Sequence, residues 1–259
     1  MTDETLSQTK DCEWERLLDP HLSLLHAPDL DGHFRRIDDA PRGFVRADRS
    51  IRCIDGRTPC GKHLAGQGIL LAHRAGIDYA LDTIHNIGAD GIYSHERCGA
   101  GALYAMLQGL DPSEGDIYAR EWSEFAAKKL DIPYHGHIPV DTPFHHEMAT
   151  YFDGTGRLDP TQLERHLVPG FCISRKYHQH PHDAREELAL SIGIAFGKSG
   201  FAHRFTPKNP FLIVVIGHPE IHELRAEKLL REAQAVIGSS HHKASIQVLS
   251  LTPDTSWLV

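Results

Sequence analysis

IDYALDTIHNIGADGIYSHERCGAGALYA, residues 77–105, is the stretch of sequence that decides the fold. Its first part places apolar side chains at helical spacing, at Ile77, Leu81, Ile84 and Ile87. Gly88 follows, where a helix often ends on a glycine. The next residues predict a short strand over 91–94, a turn over 95–99 and a helix rich in small residues over 100–109. A helix, a strand and a second helix in this order are typical of α/β folds with a parallel sheet.

The same alternation continues on both sides of this stretch. Before it, the sequence predicts buried strands over 51–55 and 68–72, which are short apolar runs bounded by Gly, Pro and Arg. After it, the same criteria predict strands over 171–174, 211–217 and 246–251, and helices over 184–196 and 221–236. We therefore expect an α/β fold with a central, mostly parallel β-sheet flanked by helices.

The chain divides into three segments by composition and pattern. Residues 1–49 are rich in Asp, Pro and His, and they predict an irregular N-terminal arm. Residues 50–158 form the predicted core, which carries the motifs described below. Residues 159–259 form a predicted C-terminal α/β half.

The C-terminal half contains short segments that are similar in sequence to segments of the core. Two pairs of segments are similar: Cys172-Ile-Ser-Arg175 to Cys53-Ile-Asp-Gly-Arg57, and Val215-Ile-Gly-His218 to Ile92-Tyr-Ser-His95. In this comparison Ile221 stands opposite Cys98, so the second copy would lack one thiol. Two hypotheses follow: a degenerate repeat of the core, or an extension that adds strands and helices without duplication. A shared strand order would favour the repeat.

Composition argues against several classes of partner. The net charge is −8 and the sequence has no basic run, so we expect neither a nucleic acid nor a membrane surface as a partner. The N-terminal residues are polar and acidic rather than signal-like, which predicts a cytoplasmic protein. The longest apolar run, 211–216, is far shorter than the roughly 20 residues of a membrane span. Five scattered cysteines suit reduced thiols or metal ligands better than disulfides.

Cys53, His95 and Cys98 are the candidate metal ligands. A catalytic zinc site needs about three Cys or His ligands and keeps a fourth position for water. Cys53 ends one predicted strand and His95 follows another, and the carboxyl ends of neighbouring parallel strands meet at one edge of a sheet. Cys98 precedes a predicted helix, whose N-terminus favours a thiolate. The alternative is a pair of buried structural thiols without a metal.

The neighbourhood of these residues resembles a known family. Cys53-Ile-Asp55-Gly-Arg57 has the form Cys-x-Asp-x-Arg, and Ser94-His95-Glu-Arg-Cys98-Gly99 contains His-x-x-Cys-Gly. Together they resemble the paired signature of β-class carbonic anhydrases. The intervening GQGILLAHRAG, residues 66–76, is similar to the strand of that family that ends in Ala-Gly, and residues 100–105 are similar to its following helix. The resemblance covers about residues 50–110.

This resemblance implies a function and a set of roles. It implies zinc held by Cys53, His95 and Cys98, and the reversible hydration of carbon dioxide to bicarbonate and a proton. It also implies that Arg57 holds the Asp55 carboxylate away from zinc, whereas Asp55 on zinc would close the water position. Finally, it implies a homodimer or higher homo-oligomer with the site at a subunit boundary, a place that the second half of this chain could fill.

Some residues depart from the family pattern. Gly56 and Arg97 replace a small hydroxyl residue and an acidic residue within the two motifs, and His73-Arg74 replaces an Arg-Asn pair before Ala75-Gly76. The glutamine and aromatic residues of the carbon dioxide pocket have no evident counterpart in the sequence. Two alternatives therefore stay open: a zinc hydrolase of carbon disulfide or carbonyl sulfide, and a zinc-binding homologue without catalysis.

Overall fold

The structure is a computed structural model, and it describes residues 3–38, 40–44, 48–58, 60–140, 147–197, 201–240 and 246–251. In chain order the described residues form these helices: α1 (Asp3–Leu25), α2 (Leu30–Arg35), α3 (Ile69–Ala75), α4 (Ile77–Asn86), α5 (Gly99–Leu107), α6 (Gly115–Leu130), α7 (Pro181–Phe196) and α8 (Ala226–Ser240). Short 3₁₀ turns lie between several of them. None of the helices in these residues is long and apolar enough to span a bilayer.

In the described part of the chain, eight strands form two sheets, and every strand pair within them is parallel. The first sheet has the order β2-β1-β3-β4 and is built from β1 (Ser50–Arg52), β2 (Lys62–His63), β3 (Gly91–His95) and β4 (Tyr134–Ile138). The second has the order β6-β5-β7-β8 and is built from β5 (Ala149–Asp153), β6 (Gly170–Ser174), β7 (Phe211–Ile216) and β8 (Ile246–Leu251). The predicted α/β fold of parallel strands flanked by helices is confirmed, with the strands divided between two sheets.

The two sheets share one strand order. In each, the first strand of the sheet lies between the second and the third, and the fourth lies at the far edge. A shared strand order is the observation that favours the hypothesis of a degenerate repeat. The second predicted match pairs β7 with β3, which hold the same place in their sheets, but the first match is wrong, because β5 rather than β6 is the counterpart of β1. Cys172 lies in β6, so it is the counterpart of β2 residues and not of Cys53.

The turns after β1 and β5 support this correspondence. Asp55-Gly56 follows β1, and Asp153-Gly154 ends β5 and begins its turn. Each aspartate accepts a hydrogen bond from the backbone N–H two residues further on, at 2.9 Å in the first turn and 2.7 Å in the second. The residue at that position is Arg57 in the first half and Thr155 in the second. The second half therefore keeps the turn and lacks the arginine.

The N-terminal segment was predicted to be irregular, and that prediction is wrong for most of it. Helices α1 and α2 occupy it, and Leu17, Leu24 and Phe34 are buried against the second sheet, in a core that includes Leu212. The sequence did not predict α1, because the segment is acidic and contains Pro20. Side chains between Trp14 and Ala40 thus belong to the second core.

The strand predicted over 68–72 is also wrong. Those residues begin helix α3, and the strand before them is β2. The cause is a tight turn in which Gly66, Gln67 and Gly68 have positive φ values of 56°, 58° and 95°. The GQG sequence therefore marks the end of a strand and not the start of one.

The two halves meet at the carboxyl end of β1. Cys172 N–H donates to Ile54 O at 3.0 Å, and a Cβ added to Gly56 would lie 2.6 Å from Gly170 O. The absence of a side chain at Gly56 therefore permits the close approach of the backbone segments around Gly56 and Gly170. Apolar side chains of both sheets form a single buried cluster around this point, among them Ile51, Ile92, Phe152, Phe171, Leu188 and Ile213. The predicted boundary after residue 158 falls beyond β5, the first strand of the second sheet.

Candidate metal centre

Cys53, His95 and Cys98 come together at the carboxyl edge of the first sheet. Cys53 follows β1, His95 ends β3, and Cys98 precedes α5; β1 and β3 are neighbours with Ile51 opposite Ile92. The two sulfurs and one imidazole nitrogen lie within 4.8 Å of one another, and all three residues are buried. Within the described residues this is the one group of three or more such side chains that could hold a metal ion.

The imidazole of His95 is oriented for ligation. Its Nδ1 lies 2.7 Å from Glu96 O, and a Nδ1–H that donates to this carbonyl leaves Nε2 with a free lone pair. Nε2 is buried and has no hydrogen-bond partner. Buried polar atoms are rarely left without a partner, so this nitrogen fits a metal ion that completes it.

Cys98 is placed by two helices. It is the N-cap residue of α5, in an extended conformation, and its side chain does not cap the helix. Asp116, in the first turn of α6, accepts the backbone N–H groups of Arg97 at 2.7 Å and of Cys98 at 2.8 Å. Arg97 has a φ of 55°, a conformation that these bonds help to hold. The helix N-terminus predicted for Cys98 is confirmed, and Asp116 is a contributor that the sequence did not reveal.

Cys53 is held by backbone and side-chain contacts. Gly66 N–H donates to its Sγ at 3.3 Å, and His63 Nδ1 lies 2.6 Å from its carbonyl oxygen. With its amide oriented to satisfy both partners, Gln67 accepts the Cys53 N–H at 3.2 Å. A hydrogen bond shared with Cys98, together with burial, raises the pKa of the Cys53 thiol well above its ordinary value. Without a metal ion, this thiol therefore holds its proton at neutral pH.

Asp55 and Arg57 form a buried ion pair beside the ligands. Arg57 Nε donates to Asp55 Oδ1 at 2.9 Å and Nη2 donates to Oδ2 at 2.5 Å, and both side chains are at most 5% exposed. Arg57 Nη2 also donates to Arg97 O at 3.3 Å. Burial alone would lower the pKa of Arg57, but the Asp55 carboxylate raises it above its ordinary value. The structure thus brings Asp55 to Arg57, and the group of ligand atoms does not include it.

A small cavity opens onto this group from the second half. Cys53, Asp55 and neighbours of the first half line one side, and Phe171, Leu190 and Ile194 line the other. The space for the centre of a water-sized sphere is about 10 Å³, which is near the minimum for one water molecule. Phe171 supplies an aromatic wall that no motif in the sequence had indicated.

All five residues singled out from the sequence therefore lie in one place. Cys53, His95 and Cys98 form the ligand group, and Asp55 and Arg57 form the ion pair next to it. No protein-family model, curated protein or solved structure matches the chain. The function has to be argued from this geometry and from the sequence resemblance.

Proposed function

We propose that the chain is a zinc enzyme that reversibly hydrates carbon dioxide to bicarbonate and a proton. The observation that carries the proposal is one arrangement: two thiols and an imidazole converge beside a carboxylate that an arginine holds, at a small apolar cavity. Residues 50–110, which build this arrangement, are the part of the chain that resembles β-class carbonic anhydrases.

The donor set suits zinc. Two sulfurs and one imidazole nitrogen are ligands that zinc prefers, and three protein ligands leave a fourth position. Bound there, zinc would lower the pKa of a water molecule to about 7 and so supply hydroxide at neutral pH. The unpartnered Nε2 of His95 supports a metal at this point and a structural pair of thiols less well.

Asp55 and Arg57 have complementary roles in this proposal. The Asp55 carboxylate lines the cavity, where it accepts a hydrogen bond from the attacking group and orients it. Arg57 keeps this carboxylate ionised and turned away from the ligand atoms through two charge-assisted hydrogen bonds. The fourth metal position then stays available for water.

The cavity wall supports a small, neutral substrate. Phe171, Leu190 and Ile194 line the cavity together with Cys53 and Asp55, and all three side chains are apolar. Carbon dioxide is small and uncharged, so it gains from an apolar wall, whereas carbon disulfide and carbonyl sulfide carry a larger sulfur atom. These three side chains belong to the second half. We propose that this half takes the place of a partner subunit at the site.

Stopped-flow measurement of carbon dioxide hydration on metal-analysed protein tests the proposal. We expect the zinc-loaded protein to accelerate hydration above the buffer rate, and Asp55→Asn to lose most of this rate with its zinc retained. Asp90→Asn, a change in the loop before β3, is the matched control. Full zinc content with no rate above buffer would identify a non-catalytic zinc protein, and faster hydrolysis of carbon disulfide would identify the other substrate class.

A further inference from the structure

The turn that contacts Cys53 is conformationally strained. Gly66, Gln67 and Gly68 all have positive φ, and Gln67 is a non-glycine residue whose side chain is fully buried. A non-glycine residue in this region is strained and persists only where its surroundings hold it. Gly66 in this turn donates its N–H to Cys53 Sγ. The contacts that hold the turn therefore also position Gly66 N–H against Cys53 Sγ.

Two side chains from distant elements hold the turn. Trp122 Nε1–H of α6 donates to Gln67 O at 3.0 Å. On the other side of Gly66, Ala65 N–H donates to Glu187 Oε1 at 2.8 Å. Glu187 lies in α7, in the second half of the chain. The Leu64–Ala65 and Gln67–Gly68 peptide groups, which lie just before and just after the two that flank Gly66, are thus fixed by contacts outside the turn.

Glu187 is an unusual residue for a structural contact, because it is a carboxylate with only 2% exposure. Its second oxygen, Oε2, lies 3.3 Å from Nε2 of His178, whose side chain is fully buried. Burying such a pair costs desolvation energy that a pair of apolar residues would avoid. Oε1 of Glu187 accepts from one backbone N–H, and that N–H precedes by one residue the donor to the sulfur of the candidate ligand Cys53.

We propose that Glu187, supported by His178, is a positioning residue for the metal centre. It fixes the Leu64–Ala65 peptide group, and so the direction of the next peptide group, whose Gly66 N–H donates to Cys53 Sγ. It does so from the second half of the chain. A hydrogen bond to a ligating sulfur stabilises the thiolate and fixes its orientation. The inference rests on the metal site of the proposed function and does not depend on carbon dioxide as the substrate.

Zinc affinity and the absorption of the cobalt-loaded protein test this proposal. Glu187→Ala removes the acceptor, and we expect the zinc dissociation constant to rise about 10- to 100-fold, as for other groups that orient ligands. The sulfur-to-cobalt charge-transfer band should shift or weaken in parallel. Glu187→Gln keeps an oxygen that can accept from Ala65 N–H, so its dissociation constant should lie between those of Glu187→Ala and the unchanged protein.

Asp183→Asn is the matched control. Asp183 is a nearly buried carboxylate on the same helix, and it accepts from Tyr79 OH at 2.7 Å rather than from the turn. We expect its zinc affinity and cobalt band to match those of the unchanged protein. A folded Glu187→Ala with unchanged affinity and band would overturn the proposal. Should Glu187→Ala fail to fold, Glu187→Gln decides, and equality with Asp183→Asn would overturn it.

These readouts separate the inference from the proposed enzyme activity. Unaltered zinc binding in the Glu187 variants would contradict the positioning role even if the protein hydrates carbon dioxide. Weakened zinc binding in a protein that never hydrates carbon dioxide would support the positioning role and contradict the proposed function.

Discussion

Asp55 is held through both of its carboxylate oxygens by Arg57. Because both side chains are almost fully buried, water does not compete for the pair, and removing one partner would leave a buried charge unpaired. The pair therefore fixes the direction in which the carboxylate points. At the scale of the residue, the proposed function rests on this contact to keep the carboxylate away from the metal position.

Replacing Arg57 by Gln should lower carbon dioxide hydration by about 100-fold or more, because a freed carboxylate can shift toward the metal and a displacement of about 1 Å can cost that much. Zinc content should stay unchanged, because Arg57 supplies none of the ligand atoms. Arg74→Gln, which removes an arginine 3.7 Å from Glu186, is the control. Equal rates for the two variants would contradict the role given to Arg57.

Zinc binding should become tighter as the pH rises. The pKa of the Cys53 thiol is raised well above its ordinary value, first by its hydrogen bond with Cys98 and then by burial. At pH 7 the Cys53 thiol thus holds a proton that the metal must displace. We expect the dissociation constant to fall about tenfold per pH unit for each displaced proton between pH 6 and 8.

A chelator competition series across that pH range measures this dependence. A dissociation constant that does not change with pH would contradict protonated ligands in the metal-free protein.

The ligands could be predicted from the sequence because their pattern is local. Cys-x-Asp-x-Arg and His-x-x-Cys-Gly each lie within a few residues, at strand ends that periodicity had identified. Asp116 and Glu187 could not be predicted, because they reach the site from other helices. The contact of Asp116 joins residues 18 apart, and that of Glu187 joins residues 122 apart. No short-range pattern records such contacts.

At the scale of the element, the pair of helices α5 and α6 keeps Cys98 in place. A Cβ added to Gly101 of α5 would overlap the backbone of Gly115, the residue at which α6 begins. Asp116 follows Gly115 directly and accepts the Cys98 N–H. The close approach of the two helices therefore brings the Asp116 carboxylate within hydrogen-bonding distance of the Arg97 and Cys98 N–H groups.

Gly101→Ala should destabilise the protein by about 1–3 kcal/mol, because overpacking at a backbone contact forces the two helices apart. Gly193→Ala in α7 is the control, since its added Cβ meets nothing within 4 Å. There we expect no loss of stability, or a gain of up to about 1 kcal/mol from helix propensity. Urea unfolding followed by circular dichroism measures both. Equal stability for the two variants would contradict the tight helix contact.

The elements with a clear period were predicted well. The helix expected over 77–87 is observed at Ile77–Asn86, and the strand expected over 246–251 is observed at Ile246–Leu251. The prediction of a strand over 68–72 is wrong because three consecutive residues with positive φ turn the chain there. Positive φ values do not change the pattern of apolar residues, so the sequence pattern did not indicate the turn. Helix α1 was not predicted because its composition is polar and it contains a proline.

At the scale of the whole molecule, the second half completes the site. The sequence predicted parallel strands, and the shared order of the two sheets favours the repeat that its similar segments suggested. Apolar periodicity does not say which strands pair, so the division into two sheets was not predicted. Packing of these sheets places Phe171, Leu190 and Ile194 over the cavity beside Cys53. The cavity wall is thus a product of tertiary structure.

Ile194→Phe should fill this cavity and reduce kcat/KM for carbon dioxide, while zinc content stays unchanged. The reason is that Ile194 lines the cavity together with Asp55, so a larger side chain takes up space that the substrate needs. Ile221→Phe, at a residue that is 37% exposed, is the matched control. Unaltered kcat/KM in Ile194→Phe would show that the substrate does not use this cavity.

X-ray absorption spectroscopy of the zinc-loaded protein tests the central claim most directly, because it reports the atoms bound to the metal. We predict one zinc per chain with two sulfur ligands at about 2.3 Å and one imidazole nitrogen at about 2.0–2.1 Å, together with a fourth, lighter ligand. Cys53→Ser and Cys98→Ser should each remove one sulfur from this shell. A protein that binds no zinc, or a zinc shell without sulfur, would contradict the metal centre.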